Sequence, residues 1–583
     1  MFKLLRFFKK SDWLIVACIL ALTIGQVVLE LLLPEYLGDM VVLATSNADS
    51  SMIWQRGLLM LLFALGIIAC AMLIGYCSTT LSNRFAKTLR TQIFNKVNSF
   101  SLHEMNKFSV PSLITRTSND MFQVLQVIMM TMRIGIMSPI MAIGAICKVI
   151  NMDLSLSIAT AVGIVVLVAL IMIIFYIAVP KFIILQQKLD KINAVTRESV
   201  TGIRVIRANN AENKQSNKFD KVNKELTQTQ LFINRVTSAL EPGMSLIINL
   251  LVVVGVYISS FIISRDPVFV GQMTSFTVYI RIILFSFVLV SMLFVNIPRG
   301  KVSAKRINEV LDTKNEIIDG TLDLSIIPDS QKKVGEVIFN HVSFKYPDAK
   351  EYILKDITFT ATAGQTIAII GSTGSGKSTL INLIARMYDA TDGEVLVDGY
   401  NVKDYKLHDL NDKLGFVPQK GFLFSGDVYS NVTFGVQNAS DEEVERALKI
   451  AKADFVYKEF EDTIHHPIAQ GGTNVSGGQR QRISIARAVI KNPEIYIFDD
   501  SFSALDYKTD KALRANLARE TKNATKFIVS QRIGTIMNAD TIIVLEEGNM
   551  VGIGTHAELM KKCKVYKEIA YSQLSKEELE VSK

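Results

Sequence analysis

Residues 366–387 read TIAIIGSTGSGKSTLINLIARM, and the change of character along this stretch decides the fold of the half of the chain that holds it. Thr366 to Ile370 reads as a buried strand, Gly371 to Ser378 matches the pattern G-x-x-x-x-G-K-[ST], and Thr379 to Met387 reads as a helix. Strand, glycine-rich loop and helix in that order let backbone N–H groups turn inward around phosphate at a helix N-terminus. The candidate binding residues are Gly371, Ser372, Thr373, Gly374, Ser375, Gly376, Lys377, Ser378 and Thr379. Lys377 supplies a point charge for the β- and γ-phosphates, and Ser378 offers a hydroxyl to Mg²⁺.

Downstream, Ile495 to Phe498 is a short apolar strand that ends in Asp499-Asp500. A carboxylate there lies at the carboxyl edge of a parallel sheet, where nucleotide and metal sit, so Asp499 reads as a Mg²⁺ ligand. Just ahead of that strand, Val475-Ser476-Gly477-Gly478-Gln479 opens a patterned helix, Arg480 to Lys491. Ser476 is a natural N-cap, and the paired glycines allow an anion to approach. The soluble half begins upstream with the alternating strand Glu336 to Lys345, after a polar linker over residues 312–333.

Further upstream the composition changes. Residues 1–300 carry 27 Lys and Arg against 15 Asp and Glu, whereas residues 301–583 carry 36 against 40. A single homogeneous soluble globule is excluded, and so is disorder. The basic excess lies beside apolar runs, so it points to a membrane surface and not to nucleic acid. Residues 57–83 and 154–180 each hold 27 positions without a charge. As helix either run is about 40 Å long, enough for a hydrocarbon core of about 30 Å. Six spans are expected, near 13–33, 57–83, 127–150, 154–180, 242–264 and 268–298. The loops at 84–120 and 181–241 are rich in Lys and Arg, which puts them, and both termini, on the cytoplasmic side. Residues 1–10 read as a basic interfacial helix and not as a cleaved signal. Both long loops keep a helical apolar pattern, through Phe85, Leu89, Ile93, Phe94 and Val97 in one and Ile184, Leu185, Leu189, Ile192 and Val195 in the other. The membrane helices are therefore expected to run on into the cytoplasm. The five cysteines show no metal or redox spacing.

With these residues in place, the chain resembles, over nearly its whole length, an exporter half-transporter of the ATP-binding cassette family. The strings that carry the likeness are the phosphate loop, VSGGQ (475–479), IYIFDD (495–500) and SALD (503–506), with SLITRTSND (112–120) and ESVTGIRVIRA (198–208) in the membrane half. The resemblance implies a polytopic helical membrane domain, residues 1–320, followed by an α/β nucleotide-binding domain, residues 321–583. It implies ATP and Mg²⁺, a second half-transporter as partner, the lipid bilayer and a small-molecule substrate. By the same resemblance Tyr346 stacks on adenine, Gln419 links the Mg²⁺ site to the membrane domain and Asp506 lies in the loop that crosses the dimer. Ser476, Gly477, Gly478 and Gln479 then act on ATP held by the partner.

The departures from that pattern carry more information. Asp500 stands where the family has the Glu that positions the attacking water, Gln531 replaces the switch histidine, and Gln470 replaces a Glu ahead of the signature. An Asp carboxylate sits about 1.5 Å further back than a Glu, and such a misplacement can cost on the order of a hundredfold in rate. Gln donates a hydrogen bond but carries no imidazolium charge. The signature keeps everything but Val475 for the usual Leu. That asymmetry resembles the degenerate-site subunit of bacterial heterodimeric multidrug exporters. An importer on the same fold, or an ATP-gated channel or regulatory subunit, remains as an alternative.

In the membrane half, Met121, Met129, Met130, Met132, Met137 and Met141 cluster within one segment, and thioethers suit a promiscuous surface. Arg281 falls roughly 20 Å deep in the last span, where an uncompensated cation is expensive, so a substrate cavity is its expected environment. Glu30 is the only acid inside an apolar span of this sequence. It reads as lying nearer the outer surface, so an Arg281 to Glu30 pairing is not expected.

Overall fold

The uncharged run 154–180 has no donor or acceptor to offer lipid except its backbone, which a continuous helix satisfies internally. In the computed structural model it lies within the single helix Leu154–Thr201. Among the described residues five more helices are long and apolar enough to cross a membrane: Lys10–Thr45, Ser50–Asn98, Val110–Ile150, Glu212–Ile263 and Phe269–Asp312. The structure describes residues 2–46, 49–322 and 334–574. Helices of 48 and 49 residues extend about 70 Å, more than twice the hydrocarbon thickness. The long amphipathic loops are therefore continuations of the spans. On the second helix Phe85, Leu89 and Ile93 are buried. On the fourth only Val195 of the expected stripe is buried, with Ile184 left exposed.

Small residues set the close packing of this unit. A Cβ on Gly38 of the first helix would lie 2.5 Å from the Gly271 carbonyl oxygen, and one on Gly255 would lie 2.1 Å from the Phe276 ring. The first helix runs straight through Pro34. The sixth helix supports that segment with hydroxyls: Ser275 donates to the Pro34 carbonyl and Tyr279 to the Leu31 carbonyl, both at 2.7 Å. The basic N-terminal segment forms a short 3₁₀ turn, Phe2–Phe7, and is tied to protein: Lys3 and Arg6 reach the Asp312 carboxylate at 2.7 and 3.4 Å.

By packing, one compact unit holds residues 1–98 and 110–313 and the other residues 99–109 and 314–583. The cause is a set of polar contacts. Asn315 donates to the Ser99 carbonyl at 2.7 Å, and the Glu104 carboxylate accepts from the backbone N–H groups of Ser101 and Glu316 at 2.6 and 2.9 Å. Burial pushes the Glu104 carboxyl up, but the Ser101 hydroxyl and these N–H groups hold it below the ordinary range.

The second unit contains two main sheets. The smaller joins β1 (Val337–Phe344), β2 (Leu354–Ala361), β4 (Asp392–Val397) and β5 (Tyr400–Asn401) in the order β2-β1-β4-β5. The larger contains β3 (Thr366–Gly371), β6 (Leu414–Val417), β9 (Ile495–Asp499), β10 (Thr525–Val529), β11 (Thr541–Glu546) and β12 (Asn549–Gly554), in the order β12-β11-β3-β10-β9-β6, while β7 (Gly426–Asp427) and β8 (Pro467–Ile468) form a separate short pair. Strand β10 pairs in parallel with both β3 and β9, bringing Ile369 level with Val529 and Val529 level with Asp499. Three strand ends from distant parts of the sequence thus open on one edge. The linker segment 323–333 lies outside the described residues.

Candidate functional site

The phosphate loop leaves β3 at Gly371, where any side chain is barred because a Cβ would sit 2.1 Å from the Leu545 carbonyl oxygen on neighbouring β11. At Gly376 the backbone takes φ 98°, a left-handed value that glycine adopts freely. The helix Lys377–Ile384 starts there and aims its N-terminus into the loop. The Lys377 ammonium is buried and donates to the carbonyls of Gly371 and Ser372 at 2.9 and 2.6 Å. Its burial holds it below the ordinary lysine range, while Asp500 and Asp499 pull it the other way.

Opposite the loop, the end of β9 supplies Asp499. Ser378 donates its hydroxyl hydrogen to this carboxylate at 2.9 Å. Burial raises the Asp499 carboxyl above its ordinary range, against the Ser378 hydrogen bond, with Asp500 adding to the rise and Lys377 opposing it. The next residue, Asp500, sits at φ 44° with its N–H donating to the Val529 carbonyl at 3.0 Å. The Gln419 amide reaches its carboxylate at 3.4 Å. Tyr346 hydrogen-bonds Thr379 across the loop at 3.0 Å.

These groups line one cavity of about 350 Å³: Thr373, Gly374, Gly376, Lys377, Ser378 and Thr379 from the loop, with Tyr346, Gln419, Asp499, Asp500 and Gln531 around it. Gly371, Ser372 and Ser375 belong to the loop without lining the cavity. Ile353 and Val529 line it as well, and no pattern in their own neighbourhoods marks them. Only the pairing of β10 with β3 and β9 exposes the role of Val529.

The residues fit a magnesium nucleotide. The Lys377 ammonium and the N-terminus of its helix line the cavity with donors that an anion would satisfy. Ser378, Gln419 and Asp499 offer oxygen donors on one wall. Among the described residues no group of three or more His, Cys, Asp or Glu is arranged to hold a metal ion by itself. Mg²⁺ in such sites keeps waters and phosphate oxygens as its remaining ligands, so the sparse protein donor set suits it.

The string 475–479 lies elsewhere. Ser476 caps the helix Gly477–Ile490, accepting from the Gln479 N–H at 3.2 Å while the Gln479 side chain accepts from the Ser476 N–H at 2.9 Å. The helix starts three residues earlier than its apolar pattern suggests. None of Ser476, Gly477, Gly478 or Gln479 lines the nucleotide cavity. A Cβ on Gly477 would meet nothing within 4 Å. Asp506 is exposed and caps the helix Tyr507–Glu520 by accepting from the Thr509 N–H at 3.0 Å. Gln470 is exposed in a short 3₁₀ turn, and Val475 is buried.

A six-helix membrane unit and a phosphate loop facing a strand-end aspartate together describe an ATP-coupled membrane transporter. Comparison with known proteins agrees: residues 15–287 match the family described as ABC transporter transmembrane region and residues 354–503 the family described as ABC transporter. The chain belongs to the ABC transporter family and is a multi-pass membrane protein. It is 36% identical to an uncharacterized ABC transporter ATP-binding protein of Mycobacterium tuberculosis, over 96% of each chain. It is 30% identical to a Bacillus subtilis protein named a "Probable multidrug resistance ABC transporter ATP-binding/permease protein", over 97% of this chain and 96% of that one. Its fold matches that of a bacterial Atm1-family ABC exporter with ATP bound, at a TM-score of 0.78 and 22% identity, over 97% and 98% of the two chains.

Proposed function

We propose that this chain is one subunit of an ATP-driven exporter that moves hydrophobic or amphipathic compounds out across the cytoplasmic membrane, with its nucleotide-binding domain and both termini in the cytoplasm. We further propose that it works with a different partner chain. The observation that carries this reading is the composition of the nucleotide cavity. Lys377, Ser378 and Asp499 supply everything needed to hold a magnesium nucleotide, whereas the two positions that should drive hydrolysis hold Asp500 and Gln531. The Asp500 carboxylate is short by one methylene and already within reach of the Gln419 amide.

Each side chain then has a definite task. Lys377 would neutralise the β- and γ-phosphates, Tyr346 would offer a face to the base, and Ser378, Gln419 and Asp499 would hold Mg²⁺, whose chemistry there is the screening of phosphate charge. Asp500 orients water poorly because of its reach. The capped helix Gly477–Ile490 presents Ser476, Gly477 and Gly478 away from this chain's own cavity, and the open space beside Gly477 leaves room for a nucleotide held by the partner. The M. tuberculosis and B. subtilis relatives support transport, and the name of the latter supports multidrug export. A cavity of about 950 Å³ in the membrane unit supports a small-molecule cargo.

The reading is tested in inside-out membrane vesicles carrying this chain, with and without a candidate partner. ATP should drive accumulation of amphipathic dyes only when both chains are present. Dye efflux from preloaded vesicles, or accumulation that ignores ATP, would refute it.

A further inference from the structure

The membrane unit carries an open cavity of about 950 Å³ whose wall is almost entirely apolar, including Met137, Met141, Met244 and Phe285. Three ionisable side chains line it, Glu30, Glu241 and Arg281. One carboxylate oxygen of Glu30 is buried and has no hydrogen-bond partner. Among the described residues neither Glu30 nor Arg281 forms an ion pair within 4.0 Å.

The helix register places these two groups at one level. The first and sixth helices run antiparallel, with Gly38 against Gly271, Pro34 bonded to Ser275 and Leu31 bonded to Tyr279. Continued inward, this register brings Glu30 to within about two residues of Arg281, roughly 3 Å along the axis. Counting from the helix ends agrees: Glu30 lies about 22 Å from Thr45, and Arg281 about 18 Å from Phe269. The first helix continues past Pro34 to Thr45. Glu241, exposed like Arg281, lies roughly 33 Å from the end of its helix at Ile263. Pro34 also has no N–H to give to the Glu30 carbonyl four residues back, which leaves a second acceptor beside the carboxylate.

Glu30 is half-buried with one oxygen lacking any partner, and Arg281 stands exposed on the cavity wall; within an apolar membrane span, charges left without a partner are expensive to keep. A ligand carrying both opposite charges would compensate both at once. We infer that Glu30 and Arg281 form the two poles of a binding site for a zwitterionic amphiphile, its cationic group held at Glu30, its carboxylate or phosphate at Arg281, and its apolar body against the methionine-rich wall. The inference deepens the export reading and rests on it.

Three fluorescent probes sharing one apolar body test it, ending in a quaternary ammonium, a carboxylate, or both. They are titrated onto the full-length assembled protein, without nucleotide, in nanodiscs of anionic phospholipid. The zwitterion should bind about tenfold more tightly than either single-charge probe, the loss expected for one charge-assisted hydrogen bond. Glu30→Gln should lower the zwitterion to the affinity of the carboxylate probe, and Arg281→Gln to that of the ammonium probe. Affinities within about twofold of one another in the unmodified protein would overturn the site, and that comparison needs no variant to fold. So would a preference that survives both substitutions. Adding phosphatidylethanolamine to the nanodiscs separates the sources: competition identifies a lipid headgroup as ligand, and unchanged affinity identifies a soluble amphiphile. ATP-driven uptake of the same probes separates the two readings. Uptake without any charge preference refutes the site alone, and preferential binding without uptake refutes export alone.

Discussion

Lys377 is held between two demands: its burial disfavours the ammonium, while two aspartates and two loop carbonyls favour it. In Lys377→Ala the charge that meets the phosphates is gone. A charged hydrogen bond contributes about 1.5–3 kcal/mol, so ATP-analogue affinity should fall roughly ten- to a hundredfold, as read by titration of the purified variant. Asp500 gives the complementary test. Restoring the missing methylene in Asp500→Glu should raise turnover at this site by up to about a hundredfold. Unchanged single-turnover hydrolysis would remove side-chain reach as the cause of the weak site.

Among the elements, the contact between the first and sixth helices depends on the absence of side chains. At Gly38 the neighbour of a Cβ would be backbone oxygen, which cannot rotate away, whereas a Cβ at Gly25 on the same helix meets nothing within 4 Å. Gly38→Val should therefore destabilise the membrane unit by about 1–3 kcal/mol, the usual cost of overpacking. Thermal unfolding in detergent should show a lower midpoint for Gly38→Val and little change for Gly25→Val. The helix Gly477–Ile490 depends on a different device. Ser476 and Gln479 bond each other's N–H groups, so Ser476→Ala should cost about 1 kcal/mol through loss of the cap.

For the whole molecule, the proposed division of labour makes a sharper forecast. The purified chain alone should hydrolyse ATP well below about 10 per second, a median rate for enzymes, and co-purification with a partner that carries Glu and His at the matching positions should restore turnover. Gly477→Asp in this chain should then abolish the activity of the pair, because a carboxylate would meet the partner's phosphates. High ATPase in the isolated chain would contradict the division. The exposed Ile184 and half-buried Leu189 on the fourth helix are consistent with a stripe that a second chain covers.

What the sequence determined by itself is local. Uncharged runs of 27 residues can only be helices in lipid, and a strand, a glycine loop and a lysine at fixed spacing can only build one kind of turn, so the six spans, the phosphate loop and Asp499 were legible from residue order. The tertiary structure decided whatever depends on distance between elements. Residues 99–109 look like the bend between two membrane helices, yet buried Glu104 accepts the Glu316 N–H and joins them to the other unit. Val529 enters the nucleotide cavity only because β10 lies between β3 and β9. Glu30 and Arg281, remote in sequence, share a cavity because the first helix passes through Pro34 and two hydroxyls of the sixth helix set the register. Sequence periodicity reports which face of an element is apolar. It carries no information about how far two packed elements slide along each other, and that sliding placed the two charges at one depth.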